Sequence, residues 1–244
     1  MSEARPPRAS GGSRSLWVSV IVPAGGSGTR VGGRTPKQFL QLGRRSILEA
    51  TLMRFAERPA RADEIVVAAP AAHVGRTRRV LARGARRPTL SVVAGGDSRQ
   101  ESVWRGLARV ERHSGARVHV VVVHDAVRPF VTGRLITAVV EAAAAHGAAV
   151  CAVPIAETVK RVQDGFVETT VDRTGLWAVQ TPQAFHWEVL REAHEKARRE
   201  GIVGTDDAML VERLGHRVRV VAGTAENVKI TTREDVRRAR GRSR

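Results

Sequence analysis

This 244-residue chain predicts a doubly wound α/β fold on a mostly parallel sheet, on three observations. Apolar runs of strand length recur along it, they are continuous rather than alternating, and amphipathic stretches of helix length separate them. Continuous hydrophobicity marks strands covered on both faces, the condition of a parallel sheet with helices on either side. In chain order the strand runs are LWVSVIV (16–22), EIVVAA (64–69), TLSVVA (89–94), VHVVVVH (118–124), AAVCAV (148–153) and RVRVVA (217–222). Between the first two, SILEATLMRFAE (46–57) puts Ile47, Leu48, Leu52 and Phe55 on one stripe behind a Ser46/Glu49 capping box. Ser98 and Glu101 repeat that signature before SVWRGLARV, and Thr132 caps GRLITAVVEAAAAH. Right-handed strand–helix–strand crossovers then wind the sheet.

One segment departs from this rhythm. ETVKRVQDGFVETTVDR (157–173) alternates β-branched and polar residues around Asp164-Gly165, a hairpin-turn dipeptide. Its arms carry polar residues on both faces and too little apolar surface for a core of their own. A lone hairpin is marginal in water, so this protruding β-arm is expected to pack on a second copy of the chain; folding back onto its own domain is the alternative.

Composition bounds the rest. Residues 1–15 are rich in Pro, Gly, Ser and Arg without periodicity and read as a disordered basic leader; 16–236 read as one domain and 237–244 as a basic tail. Cys151 is the only cysteine, so no intramolecular disulfide is possible; a core thiol and a cytoplasmic setting are expected. The apolar stretches fall short of the roughly 18 residues a membrane span needs, so no membrane partner is expected. A net charge of +17 invites nucleic acid, but about a third of the excess lies in the two ends, aromatics make up only 4% and tyrosine is absent. Specific nucleic-acid binding is therefore not expected. Within 41 basic residues only Lys37, Lys160, Lys196 and Lys229 are lysines. Where arginine serves as the generic cation, a lysine suggests a place that needs a compact point charge.

Two of those lysines frame the chemistry. After the first strand, PAGGSGTRVGGRTPKQF (23–39) offers glycines that let backbone N–H groups approach an anion, then Arg30 and Lys37. A dinucleotide fingerprint fails here because Val31 stands where the third glycine belongs, and a Walker loop fails because Arg34 replaces its lysine. A triphosphate clamp remains, against a plain glycine loop with solvated charges. Asp125 follows the most apolar run and is expected at the carboxyl end of a central strand, where α/β sheets bind ligands. His124 beside it reads as a packed histidine rather than a base.

The motif P-A-x-G-x-G-x-R followed by P-K-Q resembles the sugar-phosphate nucleotidyltransferases, and PAGGSGTR with TPKQF is similar to the 2-C-methyl-D-erythritol 4-phosphate cytidylyltransferase family. GGDSRQESV (95–103), VHDAVRPF (123–130), ETVKRV (157–162), VDRTGLWAVQTPQAF (171–185), GTDDAMLVE (204–212) and ENVKIT (226–231) resemble that family's blocks in order and spacing. The departures are small: Gly25 and Val31 stand where the family commonly has Ala and Met, and Glu226 replaces an Asp seen in some relatives.

The resemblance implies a Rossmann-like nucleotidyltransferase that joins CTP and 2-C-methyl-D-erythritol 4-phosphate, giving 4-diphosphocytidyl-2-C-methyl-D-erythritol and pyrophosphate in non-mevalonate isoprenoid precursor synthesis. It implies Arg30 and Lys37 as stabilisers of the transition-state charge, and Arg173 and Lys229 as the cations that position the acceptor phosphate. CTP would lie against Ala24, Gly25, Gly26, Gly28, Gly96, Asp97, Ser102, Asp125 and Ala126. The polyol phosphate would lie against Arg128, Thr158, Arg173 and Thr181. Asp125 would hold Mg²⁺, and the arm would make a homodimer with composite sites. Ribitol 5-phosphate as acceptor, and a non-catalytic nucleotide-binding or basic nucleic-acid-binding protein, are the alternatives.

Overall fold

The computed structural model describes residues 16–25, 35–57, 59–60, 62–81, 88–112 and 118–242. The leader 1–15, the loop positions Gly26, Gly28, Arg30 and Arg34, and the end of the basic tail at 243–244 lie outside them. In chain order the elements are β1 (Leu16–Pro23), a 3₁₀ turn Lys37–Phe39, β2 (Gln41–Leu42), β3 (Arg45–Ser46), α1 (Ile47–Ala56) and β4 (Glu64–Ala69). Then come α2 (Val74–Leu81), β5 (Thr89–Ala94), α3 (Arg99–Arg109), β6 (Val118–Val123), α4 (Gly133–His146) and β7 (Ala148–Pro154). The arm, β8 (Val159–Gln163) and β9 (Phe166–Val171), precedes β10 (Trp177–His186), α5 (Trp187–Glu200), α6 (Asp207–Glu212), β11 (Arg219–Ala222) and α7 (Arg233–Gly241).

The main sheet runs β11-β7-β10-β6-β1-β4-β5. Its β1–β4, β1–β6, β4–β5 and β7–β11 pairs are parallel, and β10 is antiparallel to both neighbours. From β1 the chain steps outward to β4 and β5, then returns to add β6 on the other side of β1. That reversal opens a crevice beyond the carboxyl ends of β1 and β6, the place where such sheets bind ligands.

Alternate residues of each central strand feed opposite layers. Val20, Val22, Val120, Val122 and Cys151 pack with Leu52 and Phe55 of α1 and Ile136 and Val139 of α4. Ile21, Val66, Val121, Val123 and Phe185 pack with Val103 and Leu107 of α3, Leu190 of α5 and Leu210 of α6. Cys151 is fully buried as expected, and burial pushes its thiol up to about 12. The caps also form where expected. Ser46 and Glu49 close a full capping box, Ser98 accepts from the Glu101 N–H, and Thr132 accepts from the Leu135 N–H. Each such cap is worth about 1 kcal/mol.

Two elements differ from the sequence expectation. WAVQTPQAFH forms a strand that continuous hydrophobicity does not reveal, because Pro182 and three polar residues interrupt it. Proline survives there because the register with β7 shifts between Val179 and Gln183, where a bulge releases the ladder from needing an N–H. The basic tail expected from Arg237 onward instead begins as the second half of α7. Val236 and Ala239 of α7 are buried against Leu42, Ile47, Val127 and Ile230, so one apolar stripe outweighs the surrounding arginines.

Candidate active site

A cleft of about 320 Å³ opens at the crevice beside β1 and β6. Its floor is made by Pro23, Ala24 and Gly25 leaving β1 and by Asp125, Ala126 and Val127 following β6. One wall is the Gly96–Ser102 segment after β5, and Lys37, Gln38 and Lys229 reach in from outside the sheet.

Each wall is fixed by identifiable bonds. The Ala24 N–H donates to the Ala68 carbonyl at 2.8 Å, and the Gln38 side-chain amide donates to the Ala24 carbonyl at 2.8 Å. Lys37 therefore stands on a turn whose next two residues, Gln38 and Phe39, are buried. The Ser102 hydroxyl accepts from the Gly96 N–H at 3.1 Å and lies 2.9 Å from the Ser98 carbonyl, to which it donates. Ser102 thus shapes the Gly95-Gly96 loop. A Cβ on Gly96 would come within 1.9 Å of the Glu101 side chain, so only glycine fits there.

Asp125 is the electrostatic centre. Its Oδ2 meets Arg128 Nε and Lys229 Nζ, each at 3.1 Å, while Oδ1 faces Arg99 Nε at 3.8 Å. Burial alone would raise its pKa, but Lys229, Arg128 and Arg99 hold the carboxyl well below the usual carboxylate range. A divalent ion held by the protein does not fit this arrangement. Mg²⁺ wants carboxylate or phosphate oxygens, whereas here one carboxylate faces three cations. Among the described residues no group of three or more His, Cys, Asp or Glu could hold a metal. Asp125 would take up Mg²⁺, as the resemblance implies, only by giving up one of these cations.

The expected residues divide into three groups. Ala24, Gly25, Lys37, Gly96, Asp97, Ser102, Asp125, Ala126 and Lys229 meet at the cleft. Arg128 and Thr181 stand behind it. Arg128 is 8% exposed and donates from Nη1 to the Asn227 carbonyl at 2.7 Å, and the Thr181 hydroxyl accepts from the Asp125 N–H at 3.0 Å. Thr158 and Arg173 are exposed on or beside the arm and do not line this chain's cleft.

Two residues escaped the sequence reading. Arg99 lines the cleft at the start of α3, and nothing sets it apart in a chain where arginine is the generic cation. Asn227 is fully buried, and its side-chain amide donates to the Thr181 carbonyl at 2.8 Å. With Arg128 on its own carbonyl, Asn227 ties the segment carrying Lys229 to β10 and to Asp125. Asn227→Ala is expected to cost about 1–3 kcal/mol of stability by leaving the Thr181 carbonyl without its side-chain donor, while the Arg128 bond to the residue-227 carbonyl survives. A urea titration of the variant checks it.

His124 is packed, as expected. Its Nε2 lies 3.2 Å from the Arg128 carbonyl, which requires Nε2 to carry the proton, and the Phe55 ring meets it edge-on at 5.0 Å. Burial lowers its pKa to about 4. The folded state therefore keeps His124 neutral while the unfolded chain protonates it near its ordinary value, so stability falls as pH drops from about 6.5 towards 4. About 2 kcal/mol should be lost by pH 5 from this group. Urea midpoints measured on both sides of that window should shift less in His124→Gln than in the parent.

The family model described as IspD, 2-C-methyl-D-erythritol 4-phosphate cytidylyltransferase, matches residues 18–241. The chain belongs to that family. A 2-C-methyl-D-erythritol 4-phosphate cytidylyltransferase of Symbiobacterium thermophilum is 48% identical over 229 residues, covering 93% of each chain. Among solved structures, 4-diphosphocytidyl-2C-methyl-D-erythritol synthase of Anaerococcus prevotii superposes with a TM-score of 0.78 at 29% identity, covering 93% of this chain and 98% of that one. The cytidylyltransferase structure from Thermus thermophilus gives a TM-score of 0.73 at 36% identity, with the same two coverages. The fold is the Rossmann-like nucleotidyltransferase fold of this cytidylyltransferase family.

Proposed function

We propose that the chain transfers CMP from CTP to 2-C-methyl-D-erythritol 4-phosphate, releasing pyrophosphate. The observation that carries this reading is the placing of Lys37 and Lys229 on one cleft around Asp125, in a chain of the cytidylyltransferase family. An acceptor phosphate oxygen forms a bond to the α-phosphorus as the bond from that phosphorus to the β-bridging oxygen breaks, and pyrophosphate leaves with the electron pair. The acceptor phosphate is already ionised near neutrality and needs no base. The protein's work is to bring two anions together and to stabilise charge on the five-coordinate phosphorus. At 4 Å and an effective dielectric of 20, each like-charge pair costs about 4 kcal/mol, which the cleft's cations must offset. In this reading Arg30 and Lys37 stabilise the transition state, and the glycines before them, with Gly96, Asp97 and Ser102, seat the nucleotide. Lys229 binds the acceptor phosphate, and Arg128 and Thr181 act by holding Asp125. A divalent ion can ride on the triphosphate's own oxygens without a protein ligand.

The acceptor side needs a second chain. Thr158 and Arg173 lie away from their own cleft, and the arm between them leaves Phe166 80%, Val167 61% and Val162 58% exposed. Apolar side chains so exposed on an isolated hairpin call for a cover, and a second copy of the chain supplies it with least machinery. Exchange of arms would then bring Thr158 and Arg173 of each chain to the acceptor side of the other's cleft. Among the described residues no helix is long and apolar enough to cross a membrane, and the buried lone thiol of Cys151 suits a cytoplasmic enzyme.

Pyrophosphate release with each of the four nucleoside triphosphates, offered methylerythritol phosphate or ribitol 5-phosphate, tests the assignment. Release with CTP and methylerythritol phosphate is expected. Release with ribitol phosphate alone would overturn the acceptor, and no release with any pair would leave a binding protein.

A further inference from the structure

Behind the cleft lies a second charged system, joined to it through Arg99. Asp207, the first residue of α6, is 1% exposed, and its two oxygens take different donors. Oδ1 accepts from His194 Nε2 of α5 at 3.0 Å, and Oδ2 pairs with Arg99 Nη2 at 2.7 Å. His194 is itself fully buried, with its ring stacked on Trp104 at 6.4 Å. Arg99 is the link to the cleft, since its Nε faces Asp125 Oδ1 at 3.8 Å.

A fully buried carboxylate cannot be left without its cation, so Asp207 keeps hold of Arg99 rather than releasing it to a ligand. With Nη2 fixed, the rigid guanidinium plane fixes Nε as well. Asp125 thus feels Arg99 on one oxygen and the Arg128–Lys229 pair on the other. Remove Arg99 and the carboxylate is shared by Arg128 and Lys229 alone. Lys229 is then more fully neutralised and less able to attract an anion.

We infer that the buried His194–Asp207 pair positions Arg99, and through it Asp125, so that Lys229 stays available to the acceptor phosphate. Arg99 and Asp207 are positioning residues in this scheme, and the inference rests on the proposed cytidylyl transfer. It differs from a general structural role because it names one substrate. The acceptor should suffer, and the nucleotide should not.

The test compares wild-type protein with Arg99→Gln, Asp207→Asn and the double variant. KM is measured separately for CTP and for methylerythritol phosphate, and melting curves are recorded for each protein. Arg99→Gln is expected to raise the acceptor KM about tenfold with the CTP KM within about twofold of wild type. The double variant should be no worse than Arg99→Gln alone, because both changes cut one path. Arg99→Lys should recover only part of the loss, since a point charge cannot span Asp207 and Asp125 together. A rise confined to the CTP KM, additive losses in the double variant, or unchanged constants in Arg99→Gln would each overturn the inference. Arg99→Gln leaves the buried Asp207 carboxylate without its cation and should lower the melting temperature, whereas the double variant removes that charge too and should melt closer to wild type, so the KM comparison is made on a folded protein. Inactive wild-type protein would instead sink the cytidylyl-transfer reading itself, so the two failures are distinguishable.

Discussion

Lys37→Ala is expected to lower kcat by about three orders of magnitude while leaving the urea midpoint unchanged, because removing one aimed charge from a transition state commonly costs that much. The backbone at Lys37 is held by its neighbours. Gln38 is bonded to the Ala24 carbonyl and Phe39 is 3% exposed, so truncating the lysine side chain opens no cavity. The sharper comparison is Lys37→Arg. Elsewhere this chain treats arginine as its ordinary cation, so a charge requirement alone would leave this variant active. If the site needs a compact ammonium at one phosphate oxygen, Lys37→Arg should still lose at least about tenfold. Pre-steady-state measurement of CMP transfer separates this from a binding defect, and a near-wild-type Lys37→Ala would contradict the proposed role.

Mixing two inactive proteins should restore activity. Arg173→Ala damages the arm and Lys229→Ala damages the cleft, and if arms are exchanged each homodimer has two broken sites. After subunit exchange about half of the dimers pair one of each, and each mixed dimer holds one intact site, so about one quarter of the wild-type rate is expected. The recovery should rise on the timescale of subunit exchange and disappear at concentrations low enough to dissociate the dimer. If the arm served its own chain's cleft, every site in the mixture would stay broken, and activity would remain at the sum of the two variants.

How much of this was legible in the sequence depended on whether one residue type spoke clearly. The six apolar runs correspond to β1, β4, β5, β6, β7 and β11; burial on both faces leaves few polar interruptions in β1, β4, β6 and β7, while the edge strands β5 and β11 are more exposed. β10 was hidden by its own function in the sheet. It carries Thr181 behind Asp125 and tolerates Pro182 at a bulge, and both features look like loop in one dimension. The site showed the same asymmetry. Scarcity made Lys37 and Lys229 conspicuous, while abundance concealed Arg99 among the arginines. Asn227 could not be found at all from its letter, since its importance lies in which carbonyls meet around it in three dimensions.

The packing of α7 carries a practical corollary for handling the protein. Lys229 sits beside Ile230, whose fully buried side chain shares a cluster with Val236 and Ala239 of that helix and with Val127, two residues past Asp125. The arginine-rich helix α7 is therefore a buttress under the segment that carries Lys229 rather than dispensable trim. Truncation from Arg233 onward should blunt catalysis without touching a single residue of the cleft, and affinity handles belong at the other end of the chain.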